Sequence, residues 1–405
     1  MSIEQALQGV KVIDLAWALT GPIATKCLAD FGATVVKVES SAKLDICRVS
    51  GPYHGGKPDI DTPPHFLFYN TSKYSMALNL KHPKGLLVLK KLIRWADVMV
   101  ESFTPKVLEK WGLEYKALKC INPNIIVIRA SVQGQEGPQA QAVSYGPILT
   151  GLAGFYSTVG WPDRLPSTTG EPYTDWVAPW YVAAATLAAL DYRKRTGKGQ
   201  QIDLSQLEAA ASFLSPAILD YVINGRIKGR EGNRCSYAAP HGAYRCQGHD
   251  RWCVIAVTSD DEWEAFCNVI GNSEWTRNAE FATLEARKKN EDELNKLVEE
   301  WTSSFSAEEV MNLMQAAGIP AGVVENSRDL VEDHQLNHRG FLVRLNHQKI
   351  GPNALHESLS FRLSKTPHQL RAAPTLGRDT EYVCSELLGM PTEEFIELFN
   401  EGVFK

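Results

Sequence analysis

Over the first third of the chain, short apolar runs alternate with amphipathic stretches. Residues 10–19 (VKVIDLAWAL) predict a strand that passes through Thr20-Gly21-Pro22 into a helix over Ile23–Phe31, which Gly32 stops. Residues 34–39 (TVVKVE) predict a second strand. A helix over Lys84–Trp95 leads into a strand at 97–102 (DVMVES), and helical segments between Pro105 and Cys120 lead into another at 124–131 (NIIVIRAS). Strands alternating with helices predict βαβ units, and so a parallel sheet flanked by helices over residues 8–133. No Gly-x-Gly-x-x-Gly follows any of these strands, so the dinucleotide fingerprint is missing.

Residues 145–168 read as Gly-rich and irregular. An Ala- and Leu-rich helix is predicted over Val177–Arg195, with a basic last turn that suits a helix C-terminus. A turn at 196–200 (TGKGQ) leads into a strand edge and a further helix up to Ile223. The polar, Gly-rich segment 225–234 marks a linker. Beyond it, residues 243–257 predict a β-hairpin turning at Gly248–Arg251, and helices at 261–270, 290–304 and 307–318 precede a return strand at 318–324. The expected division is therefore 1–224, then a smaller α+β domain over 225–325, then 326–405, which ends in a helix over 393–400.

At 405 residues the chain exceeds one ordinary core. Its net charge of −5, with no long basic run, gives no electrostatic reason to bind nucleic acid, and no stretch has the apolar length that spans a bilayer. The first residues carry early charge at Glu4 and Lys11 and lack a leader pattern. The eight cysteines are scattered without a Cys-x-x-Cys, as expected of reduced thiols in the cytoplasm. His334 and His338 stand four apart, a metal-ligand spacing, but no third ligand accompanies them and no metal site is expected.

Asp175, in Glu171-Pro172-Tyr173-Thr174-Asp175-Trp176, falls just before the long Ala-rich helix. From the local sequence alone a capping role is the default, and a capping carboxylate is held ionised with a low pKa. The same fixed carboxylate could attack an activated acyl group. Lys37, Lys73, Lys81 and Lys110 fall at strand ends or helix starts, where a nucleotide-bearing ligand would want cations. Gly21-Pro22 could present backbone N–H groups to an anion, or could be an ordinary turn.

Several segments together resemble the family III CoA-transferases, the formyl-CoA and carnitine type. They are residues 7–40, KLDICR (43–48) for the family's Gly-Asp-x-x-Arg, residues 70–85, 96–113, 121–138, 195–209, 317–324 and 373–380. Each is weak alone, but their shared order covers essentially the whole chain. The resemblance implies a Rossmann-like large domain built from both chain ends, a smaller inserted domain and an interlocked dimer. It implies Asp175 as the catalytic aspartate, and contacts to coenzyme A from Ala18, Asn70, Lys73, Phe103, Lys110 and Tyr145. Coenzyme A thioesters are then substrates, with a carboxylic acid as the other partner, and no cofactor is held permanently. Leu19, Ser40 and Ser102 stand where the formyl-CoA enzyme has Gln, Arg and Asn, and Val257–Asp261 replaces its mobile glycine loop, which argues against formyl and oxalate substrates. The ten tryptophans suggest a bulky or aromatic acceptor, as in the succinyl-CoA:benzylsuccinate subgroup, whose paired related subunits make a heteromer an alternative to a homodimer. Acyl-CoA racemases share the resemblance, but Val143-Ser144-Tyr145-Gly146 holds no ionisable base. A non-catalytic CoA-binding subunit is the third reading.

Overall fold

A computed structural model describes residues 4–405. Met1–Ile3, which begin the segment read as lacking a leader, lie outside them. Two compact units form: one contains residues up to 156 together with 168–227 and 335–405, the other 157–167 and 228–334.

The larger unit is built on strands β1 (Lys11–Asp14), β2 (Thr34–Glu39), β3 (Tyr74–Ala77), β4 (Val98–Glu101), β5 (Ile126–Ser131) and β6 (Gln201–Ser205), all parallel, in the order β3-β2-β1-β4-β5-β6. Both faces are covered, which is why these strands read as near-continuous apolar runs. Ile13, Val36, Met76, Met99 and Val127 point into one core, and Val12, Val35, Val98, Ile126 and Ile128 into the other. Helix α1 (Thr20–Asp30) contributes Ala24, Leu28 and Ala29 to the second core. Helix α2 (Gly146–Leu152) lies within the stretch read as irregular. Helix α3 (Tyr173–Thr196) ends at Gly197, whose φ of 70° lets its N–H reach the Arg193 carbonyl. Helix α4 (Ser215–Asn224) follows β6.

The sequence predicts a longer first strand than forms. Pairing stops at Asp14, Leu15 still donates to the Val100 carbonyl at 2.9 Å, and Thr20-Gly21-Pro22 already belong to α1, so residues 16–19 are an irregular connection. From Ala16 to Ala18, side-chain hydrogen bonds take the place of ladder bonds.

The smaller unit has a three-stranded antiparallel sheet, β7 (His241–Arg245), β8 (Trp252–Ala256) and β9 (Ala321–Val323), in the order β7-β8-β9. Its core includes Trp263, Phe266, Phe281, Leu294, Val298 and Met314. The larger unit resumes with a hairpin absent from the sequence reading, β10 (Leu342–His347) and β11 (Gly351–Glu357). The chain end then covers the open edge of β3: Asp379 exchanges hydrogen bonds with the Ser75 backbone at 2.9 and 3.0 Å, and Val403 accepts from the Asn79 amide at 2.8 Å. Cys384, Leu398 and Phe404 complete the first core. Among the described residues no helix is long and apolar enough to cross a membrane, and no group of three metal-ligating side chains forms.

Charges are buried in the larger unit, and they are paired. Lys73 Nζ contacts Asp14 Oδ2 at 2.8 Å, and Lys37 Nζ contacts Asp45 Oδ2 at 3.0 Å, with all four side chains fully buried. Arg48 grips Glu39 through two 2.8 Å bonds and Asp61 through another. Burial opposes the charge on Asp14, but the ammonium groups of Lys73 and Lys37 hold its carboxyl below the usual range. Removing one partner of such a pair leaves an uncompensated buried charge. Lys73→Met should therefore cost about 3–5 kcal/mol of unfolding free energy, measured by denaturant titration.

Candidate active site

The parallel sheet changes direction of winding between β1 and β4, and ligands of such sheets bind beyond the carboxyl ends of the strands at that point. A cavity of about 420 Å³ lies there. Trp17, Ser40, Lys43, Lys81, Phe103 and Trp111 are among its lining residues. The Lys43 ammonium sits 4.6 Å from the Trp17 ring centre, and Phe103 meets Trp111 edge-on at 5.4 Å. The rim thus offers aromatic faces and two cations, which suits a heterocycle carrying phosphates.

The lysines considered as anchors separate into two groups. Lys81 lines the cavity, and Lys110 is exposed on the short helix Val107–Lys110. Lys37 and Lys73 are buried and spent on internal partners: Lys37 donates to the Ala16 carbonyl at 3.0 Å, and Lys73 to the Pro22 carbonyl and Asn70 Oδ1 at 2.9 and 2.8 Å. Asn70 is buried with it and donates to the Phe66 carbonyl. Gly21 is the second residue of α1, and a Cβ there would stand 2.1 Å from that of Ala16, so at Gly21-Pro22 the chain already turns into the helix.

Asp175 is the third residue of α3 rather than the residue before a helix. The N-cap position belongs to Pro172, with no side-chain cap bond, and among the described residues none donates a hydrogen bond to the Asp175 carboxylate. Pro179, four residues on, has no N–H to return to the Asp175 carbonyl. The expected capping role and low pKa are both overturned: burial without a compensating donor pushes the carboxyl up to about 6. Desolvation wins because no cation or hydrogen-bond donor among the described residues meets the carboxylate.

What lies against the carboxylate was missed by sequence reasoning. A Cβ on Gly146, at the start of α2, would stand 2.5 Å from Asp175 Oδ2 and 2.2 Å from the Pro172 Cβ. Only glycine lets the carboxylate lie there, since no real Cβ contact is that short. The available signal was a Gly-Pro pair opening a helix. Tyr145, the N-cap of α2, is the neighbour of this glycine in the chain, and is 67% exposed. Trp176 meets Tyr69 edge-on at 5.4 Å. The buried Cys47 thiol is within electrostatic reach of Asp175, and donates to the Ala18 carbonyl at 3.4 Å. The turn carrying Ala18 also carries Trp17, which lines the cavity. The fold thus brings Ala18, Cys47 and Asp175 into one neighbourhood, puts Phe103 and Lys81 on the cavity wall, and buries Asn70 and Lys73.

A family model described as CoA-transferase family III matches residues 7–380. A succinyl-CoA–D-citramalate CoA-transferase of Chloroflexus aurantiacus is 30% identical over 393 residues, covering 97% of this chain and 96% of its own length. The beta subunit of a succinyl-CoA–L-malate CoA-transferase from the same organism is 31% identical over 401 residues, covering 98% of each chain. Among solved structures, a CAIB/BAIF family protein from Brucella suis matches with a TM-score of 0.87 at 29% identity, over 95% of this chain and 100% of that one.

The raised pKa of Asp175 has a consequence for stability. The folded protein holds this proton more tightly than the unfolded chain, so the cost of ionising it is absent below pH 4, grows between pH 4 and 6 and is complete above. Asp175→Asn removes the cost. It should stabilise the protein by on the order of 1–3 kcal/mol at pH 8, with the gain vanishing near pH 4, as read by denaturant unfolding at both pH values.

Proposed function

The chain belongs to CoA-transferase family III, and from that premise we propose that it moves coenzyme A from a donor acyl-CoA to an acceptor carboxylic acid through covalent intermediates on Asp175. The observation that carries the mechanism is a half-buried carboxylate whose pKa burial raises, without a hydrogen-bond donor among the described residues and lying against bare backbone at Gly146. A carboxylate stripped of hydrogen-bond donors is a better nucleophile than a solvated one.

Asp175 attacks the thioester carbonyl and expels coenzyme A as its thiolate, leaving a mixed anhydride. The thiolate then attacks the aspartyl carbonyl, the donor acid departs as its carboxylate, and an aspartyl-CoA thioester remains. The acceptor carboxylate attacks that thioester to give a second anhydride and free thiolate. Attack of the thiolate on the acceptor carbonyl releases the new acyl-CoA and restores Asp175. No water enters and no net proton is taken up, so the thioester bond energy is conserved. Exclusion of water is therefore as necessary as the nucleophile.

The cavity beyond β1–β4 is the proposed seat of the nucleotide end of coenzyme A, with Lys43, Lys81 and Phe103 on its wall and Lys110 on the neighbouring short helix. Succinyl-CoA is the proposed donor, since both transferases described above carry it in their names. The acceptor is proposed to pair a carboxylate with an apolar or aromatic group, as benzylsuccinate does, because Trp176, next to Asp175 in the chain, packs edge-on against Tyr69. Eight free cysteines fit a reducing compartment, and the reading puts the protein in the cytoplasm.

The working form is proposed to be an interlocked assembly of two chains, either identical or related as the named beta subunit implies for its own enzyme. Support comes from α4. This helix buries none of its residues, and Leu219, Tyr221, Val222 and Ile223 are 55–73% exposed. An apolar helix left bare on this scale is the mark of a contact surface.

Asp175→Ala should abolish turnover, measured with succinyl-CoA and a panel of dicarboxylic acids by mass spectrometry, while coenzyme A binding by calorimetry persists. Turnover like that of the wild type in this variant would end the mechanism. In the wild type, kcat/KM should rise with pH through about 6, as the carboxyl ionises. Deuterium entering the α-position from heavy water would point instead to racemisation. The double variant Val222→Asp, Ile223→Asp should shift the sedimentation coefficient from the two-chain to the one-chain value.

A further inference from the structure

Four residues beyond the end of β1, Ala18 takes a φ of 60°. A residue with a Cβ persists in this left-handed region only where its surroundings over-determine it. Here three successive amides of the turn are each held by a side chain. Ala16 donates to Asp14 Oδ1 at 3.0 Å, Trp17 to Ser102 Oγ at 3.0 Å and Ala18 to Asp45 Oδ1 at 3.1 Å. Two carbonyls are held as well, that of Ala16 by Lys37 at 3.0 Å and that of Ala18 by the Cys47 thiol at 3.4 Å.

Asp45 is the junction of these restraints. One carboxylate oxygen receives the Ala18 and Cys47 amides, and the other pairs with Lys37. The turn joins two places. Trp17 lines the cavity at the sheet's edge, while Leu19 packs with Cys47 and Phe66, on the side where Cys47 feels Asp175.

We infer that Asp45 and Cys47 are positioning residues: by clamping the strained Trp17–Leu19 turn from both its amide and its carbonyl sides, they set the path from the coenzyme A cavity to Asp175. This rests on the transfer reaction proposed above. Neither residue touches the reacting atoms; each acts through the backbone of the turn. Burial, followed by the Asp45 carboxylate, pushes the Cys47 thiol up to about 12, so its hydrogen stays on sulfur at neutral pH and remains available to the Ala18 carbonyl.

Asp45→Ala removes the acceptor of the Ala18 amide, whereas Asp45→Asn keeps an oxygen in its place. In Asp45→Ala, kcat/KM for the acyl-CoA should fall at least about 30-fold, mostly through KM, a loss of the kind produced by displacing a substrate by about 1 Å. Asp45→Asn should recover most of it. A merely structural role would lower the melting temperature and leave the kinetics of the folded fraction unchanged, without rescue by Asn. Should Asp45→Ala fail to fold, Cys47→Ala makes the same test, with a smaller rise in KM that Cys47→Ser reverses.

Amide exchange over residues 15–20, followed by mass spectrometry without substrate, decides the clamp independently of catalysis. Protection should fall in the Ala variants and return in Asn and Ser. Unchanged protection and unchanged KM in the folded Ala variants would overturn the inference. A wild-type protein that transfers no coenzyme A would overturn the proposed reaction, while the exchange result would still stand for or against the clamp.

Discussion

The larger unit depends on a set of ion pairs buried at the carboxyl ends of β1 and β2. A parallel sheet must end its strands in irregular backbone, and that backbone is buried here because helices cover both faces. Its N–H and C=O groups cannot turn to water, so they need partners of their own. Asp14, Lys37, Asp45 and Lys73 supply them, and each of these side chains also neutralises another. Arg48 extends the set by joining Glu39 at the end of β2 to Asp61. Paired charges replaced by apolar groups of similar volume can leave a protein as stable as before. The value of these pairs lies in the hydrogen bonds they direct to particular backbone groups.

The opposite arrangement holds at Asp175. Where the sheet's carboxylates are saturated with donors, this one has been stripped of them, and its pKa moves in the direction opposite to that of Asp14. Both are aspartates in one unit, and Asp14 is the more buried of the two, so what separates them is whether cations and N–H groups converge on the carboxylate. Gly146 is part of the same arrangement: the absence of a side chain makes room for the carboxylate, and a glycine amide flanked by proline adds no charge of its own. The chain belongs to CoA-transferase family III, and an aspartate held in this state fits the acyl transfer proposed for it.

Much of the fold was legible because parallel strands with both faces covered leave a strong signal. Val35, Val36, Val98, Val100, Ile126 and Ile128 stand in short apolar runs separated by amphipathic segments, and a βαβ arrangement follows from that alternation alone. The hairpin of β10 and β11 was not legible. Its strands are only half buried, with polar residues at many positions, so their alternation is blurred. The first strand's end is hidden in the sequence for a related reason. Leu15 and Ala16 are as buried as Val12 and Ile13, and apolar pattern does not distinguish a strand from a turn held in the core.

Asp175 stood out in the sequence by its place near a helix start and by the family resemblance of its surroundings. Chain-local information extends that far, because helix propensity, apolar period and motif order are properties of neighbours along the chain. Its protonation state, the bare glycine against it and the burial of Lys73 against Asp14 were decided only in three dimensions. They depend on residues as far apart as Gly146 and Asp175, or Asp14 and Lys73. Electrostatic energies are set by distance through space and by the exclusion of water, and the sequence determines neither until the sheet has brought those segments together.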